Sequence, residues 1–150
     1  MIQFGIELEK LPNINNGYIK AKGRVFRSSE ARNFCNLIEL EARRAAKDFK
    51  VIHKKFYFSL TTYWYNPKFY TKKGEINKRA GDIDSFVKFS QDAIMKGVGY
   101  DDSLIKQKDI IQMPCEGSYH KIFFLLVSHP IESIKSNDFC LKEKIKNNQT

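Results

Sequence analysis

No stretch of this 150-residue chain is apolar over anything near the ~20 residues that a membrane crossing requires. The longest such run, Ile122 to Val127, reads as one buried strand. The N-terminus, Met1-Ile2-Gln3-Phe4, lacks the basic stretch and apolar core of a secretion signal, so the cytoplasm is the default expectation. Cysteine is scarce. Cys35, Cys115 and Cys140 form an odd set without Cys-x-x-Cys spacing, which argues against a disulfide framework and against zinc. His53, His120 and His129 stand apart, without ligand spacing, and are expected to be structural or surface residues. Acidic residues are also short, 17 against 26 lysines and arginines, for a formal net charge of +9. There is no internal repeat and no internal linker. What remains is one domain, ordinary in its 42% hydrophobic content, with the basic surface that a polyanion needs.

Along the chain, Ile2, Phe4, Ile6 and Leu8 alternate with Gln3, Gly5 and Glu7 at the period of a half-buried strand. Pro12 to Gly17 is turn chemistry, and Val25-Phe26 allows a short extended piece. Ser28 or Ser29 caps a helix running to about Asp48, with Phe34, Leu37, Ile38, Ala42, Ala45, Ala46 and Phe49 on its apolar face. Lys55 to Tyr65 is aromatic and threonine-rich, a strand by composition. Asn66 to Gly81 is a loop, and a second helix is expected from about Asp84 to Lys96, stopped by Gly97 and Gly99. Leu104–Met113 and His120–Val127 read as two further strands. The order predicts an α+β fold of two helices on one mixed sheet over residues 1–128. A Lys/Asn-rich tail follows over 129–150.

Against its basic background the chain gathers five aspartates into 21 residues: Asp82, Asp84, Asp92, Asp101 and Asp102. Carboxylates are the ligands that hard divalent cations prefer, and Mg2+ binds through one or two of them together with substrate phosphates. In extended chain Asp82 and Asp84 point to the same side. On a helix beginning near Asp84, the residues Asp84, Lys88 and Asp92 fall on one face. The Gly-bounded turn is then expected to return Asp101-Asp102 beside the helix start, bringing three carboxylates and a lysine together. A cap at Asp84, a Lys88 ion pair and a turn at Asp101-Asp102 account for the same spacing without a metal.

Two blocks carry a resemblance. Gly81-Asp82-Ile83-Asp84-Ser85-Phe86-Val87-Lys88, then Asp92-Ala93-Ile94, then Tyr100-Asp101-Asp102-Ser103, closely resembles the signature of the RusA family of Holliday junction resolvases. Leu11-Pro12, Asn15-Asn16-Gly17-Tyr18, Lys22-Gly23-Arg24, Ser28 and Glu30 are similar to that family's proline-asparagine turn, basic hairpin and helix cap. Ser85 stands where the family usually has Asn. The resemblance implies metal ligation by Asp82, Asp84 and Asp102, and catalysis by these together with Lys88; the spacing leaves supporting roles around the metal for Asp92 and Asp101.

DNA contact is expected from Asn16, Lys20, Lys22, Arg24, Arg27, Lys78 and Arg79, with Lys68, Lys72 and Lys73 in the same basic loop. The resemblance further implies a homodimer that nicks a branched DNA symmetrically with Mg2+, or Mn2+ in its place, in DNA recombination and repair. Its members are often carried by phages or prophages. A nuclease acting on forks or flaps, and a non-catalytic protein that binds branched nucleic acid, are the rival readings. Carboxylates facing a polyanion argue against the second. Of the aromatic run Tyr63, Trp64, Tyr65, Phe69 and Tyr70, most is expected in the core rather than stacked on bases.

Overall fold

A computed structural model describes residues 1–12, 17–79 and 86–133. The chain folds as β1 (Ile2–Leu8), β2 (Tyr18–Ala21), β3 (Arg24–Arg27), α1 (Ser29–Ala45), β4 (Phe56–Asn66), α2 (Val87–Val98), a 3-10 turn (Asp102–Leu104), β5 (Ile105–Pro114) and β6 (His120–Pro130). A four-stranded sheet runs β1-β6-β4-β5, antiparallel except for the parallel β4–β5 pair, and β2–β3 form a separate hairpin. This is the α+β architecture expected, two helices on a mixed sheet. The hairpin is the element that composition did not resolve, because β2 carries a single apolar pair around Lys20.

Both helices cover one face of the sheet. Phe34, Ile38 and Ala42 of α1 and Phe89, Ala93 and Ile94 of α2 are buried against Phe58, Leu60 and Trp64 of β4 and Ile122, Phe124 and Leu126 of β6. Period-2 alternation therefore selects the core residues of β6, and Phe123 is turned to the other face, where it is 48% exposed. That outer face carries an open cavity of about 410 Å3 among Gln3, Gly5, Tyr63, Phe123 and Leu125. A Cβ on Gly5 would lie 2.7 Å from the Phe123 ring, so glycine lets the ring lie across β1.

Several boundaries differ from expectation for local reasons. α1 stops at Ala45, with Ala46 as its cap, and Ala45 is exposed. α2 begins at Val87 and runs through Gly97, ending only at Gly99, whose φ of 87° is a left-handed cap. Gly97 serves packing instead, since a Cβ there would sit 2.5 Å from the Glu39 carbonyl oxygen of α1. β6 extends to Pro130, which pairs with Phe56 of β4. Asn16, Asp82, Asp84 and the tail beyond Ser133 lie outside the described residues. Among the described residues no helix is long and apolar enough to cross a membrane.

Candidate active site and nucleic-acid interface

Because β4 and β5 are parallel, α2 must carry the chain back along the sheet between them. The two ends of α2 therefore lie at opposite ends of the molecule. At its start, the Phe86 ring packs on Trp64 late in β4, with centroids 5.1 Å apart, and on Phe34 early in α1 at 6.0 Å. At its finish, Tyr100 packs on Phe56 and Phe58 at the beginning of β4, at 5.6 and 5.2 Å.

The first end is basic. Lys22 (φ 49°) and Gly23 (φ 71°) are both left-handed, which closes β2–β3 with a two-residue turn of the kind that suits strand twist. Lys20, Lys22 and Arg24 are exposed on this ribbon. Its base is fixed where Ser28 N–H donates to the Gly17 carbonyl at 2.6 Å, while Ser28 Oγ accepts from Ala31 N–H at 3.2 Å and caps α1 as its residue type predicts. The loop after β4 is held by two asparagines. Asn66 Oδ1 accepts from Lys68 N–H at 2.9 Å, and Asn77 donates to the Lys68 carbonyl at 3.0 Å and accepts from Arg79 N–H at 3.1 Å. Lys68, Lys72, Lys73, Lys78 and Arg79 are all left exposed.

Lys88, in the first turn of α2, is exposed at the same end, with Nζ 5.8 Å from the centre of the Tyr18 ring. This cation–π contact links the helix to the hairpin; nothing in the spacing of Tyr18 and Lys88 announced it. Asp92, one turn on, pairs with Arg27 rather than Lys88, at 3.1 Å. The Arg27 guanidinium also donates to Cys35 Sγ at 3.4 Å and stands 5.8 Å from the Phe89 ring centre. It thus joins β3, α1 and α2, and its side chain is turned inward while its neighbours on the ribbon face solvent. Burial pushes the Cys35 thiol up, against the opposing pull of Arg27.

The other end holds Asp101 and Asp102. The expected extended pair is instead the entry to the 3-10 turn. Asp101 Oδ1 accepts from Ser103 N–H at 2.8 Å, and hydrogen bonds from the Ser103 side chain and then its backbone hold the Asp101 carboxyl below the usual carboxylate range. Asp102 is exposed in the first turn and takes part in no ion pair among the described residues. The expectation that this pair returns beside the start of α2 is corrected. The twelve residues of α2 span about 18 Å, so within one copy Lys88 and Asp102 stand roughly a helix length apart. Among the described residues no three His, Cys, Asp or Glu side chains come close enough to hold a metal.

His120 and His129 are structural, as expected. His120 is buried with Nδ1 accepting from Trp64 Nε1 at 3.1 Å, and burial, then the charge of Lys68, lowers its pKa. His129 Nε2 bonds Ser59 Oγ at 2.7 Å. Trp64 is core, whereas Tyr63 and Tyr65 are half-buried on the outer face of the sheet and Tyr70 is 52% exposed.

A basic ribbon, a basic loop and a lysine gathered at one end of an α+β layer form a surface suited to a polyanion. The family model for endodeoxyribonuclease RusA matches residues 8–116. The chain belongs to the RusA family and is thereby an endodeoxyribonuclease; members of that family are metal-dependent resolvases that bind branched DNA junctions. No curated protein matches it.

Proposed function

We propose that this protein is a Mg2+-dependent endodeoxyribonuclease that resolves four-way DNA junctions by paired symmetric nicks in recombination and repair. The observation that carries the proposal is that Asp82, Asp84, Lys88 and Asp102 all fall within the matched stretch, residues 8–116. Three carboxylates are the hard oxygen donors that suit Mg2+, and the exposed Asp102, outside every described ion pair, fits that use. Asp82, Asp84 and Asp102 would hold the ion, which supplies Lewis acidity toward a phosphoryl oxygen and acidifies bound water.

The chain's own residues do the rest. Lys88, steadied over Tyr18, neutralises charge that develops on the phosphoryl oxygens during attack. Lys20, Lys22, Arg24, Lys78 and Arg79, together with Asn16, hold backbone phosphates and carry no base readout. Asp92 acts at one remove, by fixing Arg27 and so the base of the hairpin. Asp101 fixes the turn that presents Asp102.

A homodimer completes this reading. Lys88 and Asp102 stand about 18 Å apart along α2, more than the two side chains span together. Oxygens sharing one Mg2+ lie within about 4 Å of each other. We therefore assign each metal centre Asp82, Asp84 and Lys88 of one copy and Asp102 of a second. The outer face of the sheet, with Phe123, Tyr63 and Leu125, is left open among the described residues and is the apolar surface that a two-fold partner would use. The Lys/Asn-rich tail follows this domain after β6.

The test is to incubate purified protein with a four-way junction, a fork, a flap and a linear duplex, with and without Mg2+. Symmetric cleavage of the junction in Mg2+ supports the proposal. Preferential cleavage of the fork or flap assigns another branched substrate, and an uncut panel in both Mg2+ and Mn2+ removes the enzymatic reading.

A further inference from the structure

From Arg43 to Lys55 the chain carries Arg43, Arg44, Lys47, Lys50, Lys54 and Lys55 against one carboxylate, Asp48. Part of this charge has a local purpose, since cations in the last turn of α1 offset the helix dipole. Arg43 and Arg44 are also tied to Glu39 and Glu41, at 2.7 and 2.8 Å. Neither reason covers Lys47 and Lys50. They lie beyond the end of α1, are exposed, and belong to none of the ion pairs among the described residues.

The fold gathers them around a concavity. Arg44, Lys47, Lys50 and His53, with the single carboxylate of Asp48 among them, line an open cavity of about 620 Å3, with Phe49 and Ile52 supplying its apolar part and Ser128 of β6 closing one side. Its position is informative. The Phe49 ring packs on Phe58 at 6.5 Å, and Phe58 packs on Tyr100 at 5.2 Å, immediately before Asp101-Asp102. The cavity and Asp102 thus flank one aromatic cluster, at the end of the molecule opposite the hairpin and the basic loop.

We propose that this cavity is a second phosphate-binding site, which holds the sugar-phosphate backbone of a DNA arm on the Asp102 side of the metal centre. Phosphates repeat every ~3.4 Å along a strand's axis, so a backbone passing Asp102 places several within reach of this surface. Lys47 and Lys50 meet them as point charges. Arg44, released from Glu41, can present its two-pronged guanidinium. The contacts are to phosphate alone and carry no sequence preference. The proposal rests on the junction-cleaving reading and extends it from one end of the molecule to both.

The test is junction binding by the Lys47→Ala/Lys50→Ala double variant, in EDTA, across a sodium chloride series. Two lost phosphate contacts reduce the slope of log affinity against log salt by about 1.8 units. Both side chains are exposed, and a circular dichroism melt confirms that the variant is folded. A fall of more than about one unit supports the site, and a smaller change overturns it. Should the parental protein itself not prefer the junction over linear duplex, the functional reading fails. A parental protein that prefers it, beside a double variant with unaltered slope, removes only this second site.

Discussion

Arg27 and Asp92, 65 residues apart in sequence, are joined by an ion pair of 3.1 Å that binds the basic hairpin to α2. The pair is more than a third exposed on both sides, so solvent screening holds its worth to about 0.2–1 kcal/mol. Its consequence is positional. Arg27→Ala should leave the salt slope of junction binding near the parental value, because this guanidinium is spent on Asp92, Cys35 and Phe89. Arg24→Ala, on the exposed ribbon, should lower the slope by about 0.9 units. Equal slopes for both variants would contradict the division between them.

We assign the neighbours Asp101 and Asp102 separate tasks. Asp101→Asn keeps a side-chain oxygen to accept from Ser103 N–H and should cleave a junction at close to the parental rate. Asp102→Asn should lose cleavage. Single-turnover rates at saturating Mg2+ decide, and an inactive Asp101→Asn beside an active Asp102→Asn reverses the assignment.

The proposed sharing of ligands between copies has its own signature. Asp82→Asn and Asp102→Asn proteins should each be inactive, yet their co-expressed mixture should nick. In a mixed dimer one centre receives both substitutions and the other receives neither. The product should be nicked junction without paired resolution, read on a denaturing gel. A mixture as inactive as its components places all three carboxylates in one copy.

His120 predicts a pH dependence of stability. Burial and the charge of Lys68 lower its pKa, and its Nδ1 must stay unprotonated to accept from Trp64. The unfolded chain therefore binds this proton more readily than the folded one. Stability is fully present above the unfolded value of about 6.5 and is lost as pH falls toward the lowered folded value. Urea midpoints should drop between pH 7.5 and pH 5.5 in the parental protein and drop less in His120→Gln. Parallel pH profiles would remove His120 as the source.

Most of the fold could be read along the chain because period and capping are local properties. Ser28 caps α1, alternation marks β1, and Ile122, Phe124 and Leu126 face the core. The candidate site is read from residue types alone, and its geometry is not legible in them. Spacing cannot say that β4 and β5 are parallel, and that relationship alone sends Asp102 to the far end of α2 from Lys88. Nor can helical periodicity say that Asp92 finds Arg27 from another element instead of Lys88 one turn away. Gly97 illustrates the same limit. It was legible as a helix breaker, whereas its place is the close approach of α2 to Glu39 and Ala42 of α1.

The central claim is that Asp82, Asp84 and Asp102 hold the metal that cuts the junction. The most direct measurement pairs single-turnover cleavage of a four-way junction in Mg2+ with binding of the same junction, for Asp82→Asn, Asp84→Asn and Asp102→Asn. Each variant should bind as tightly as the parental protein or tighter, having lost a negative charge that faces DNA, and should fail to cleave. Cleavage at the parental rate by any of the three, or loss of binding in step with cleavage in a folded variant, would contradict the account.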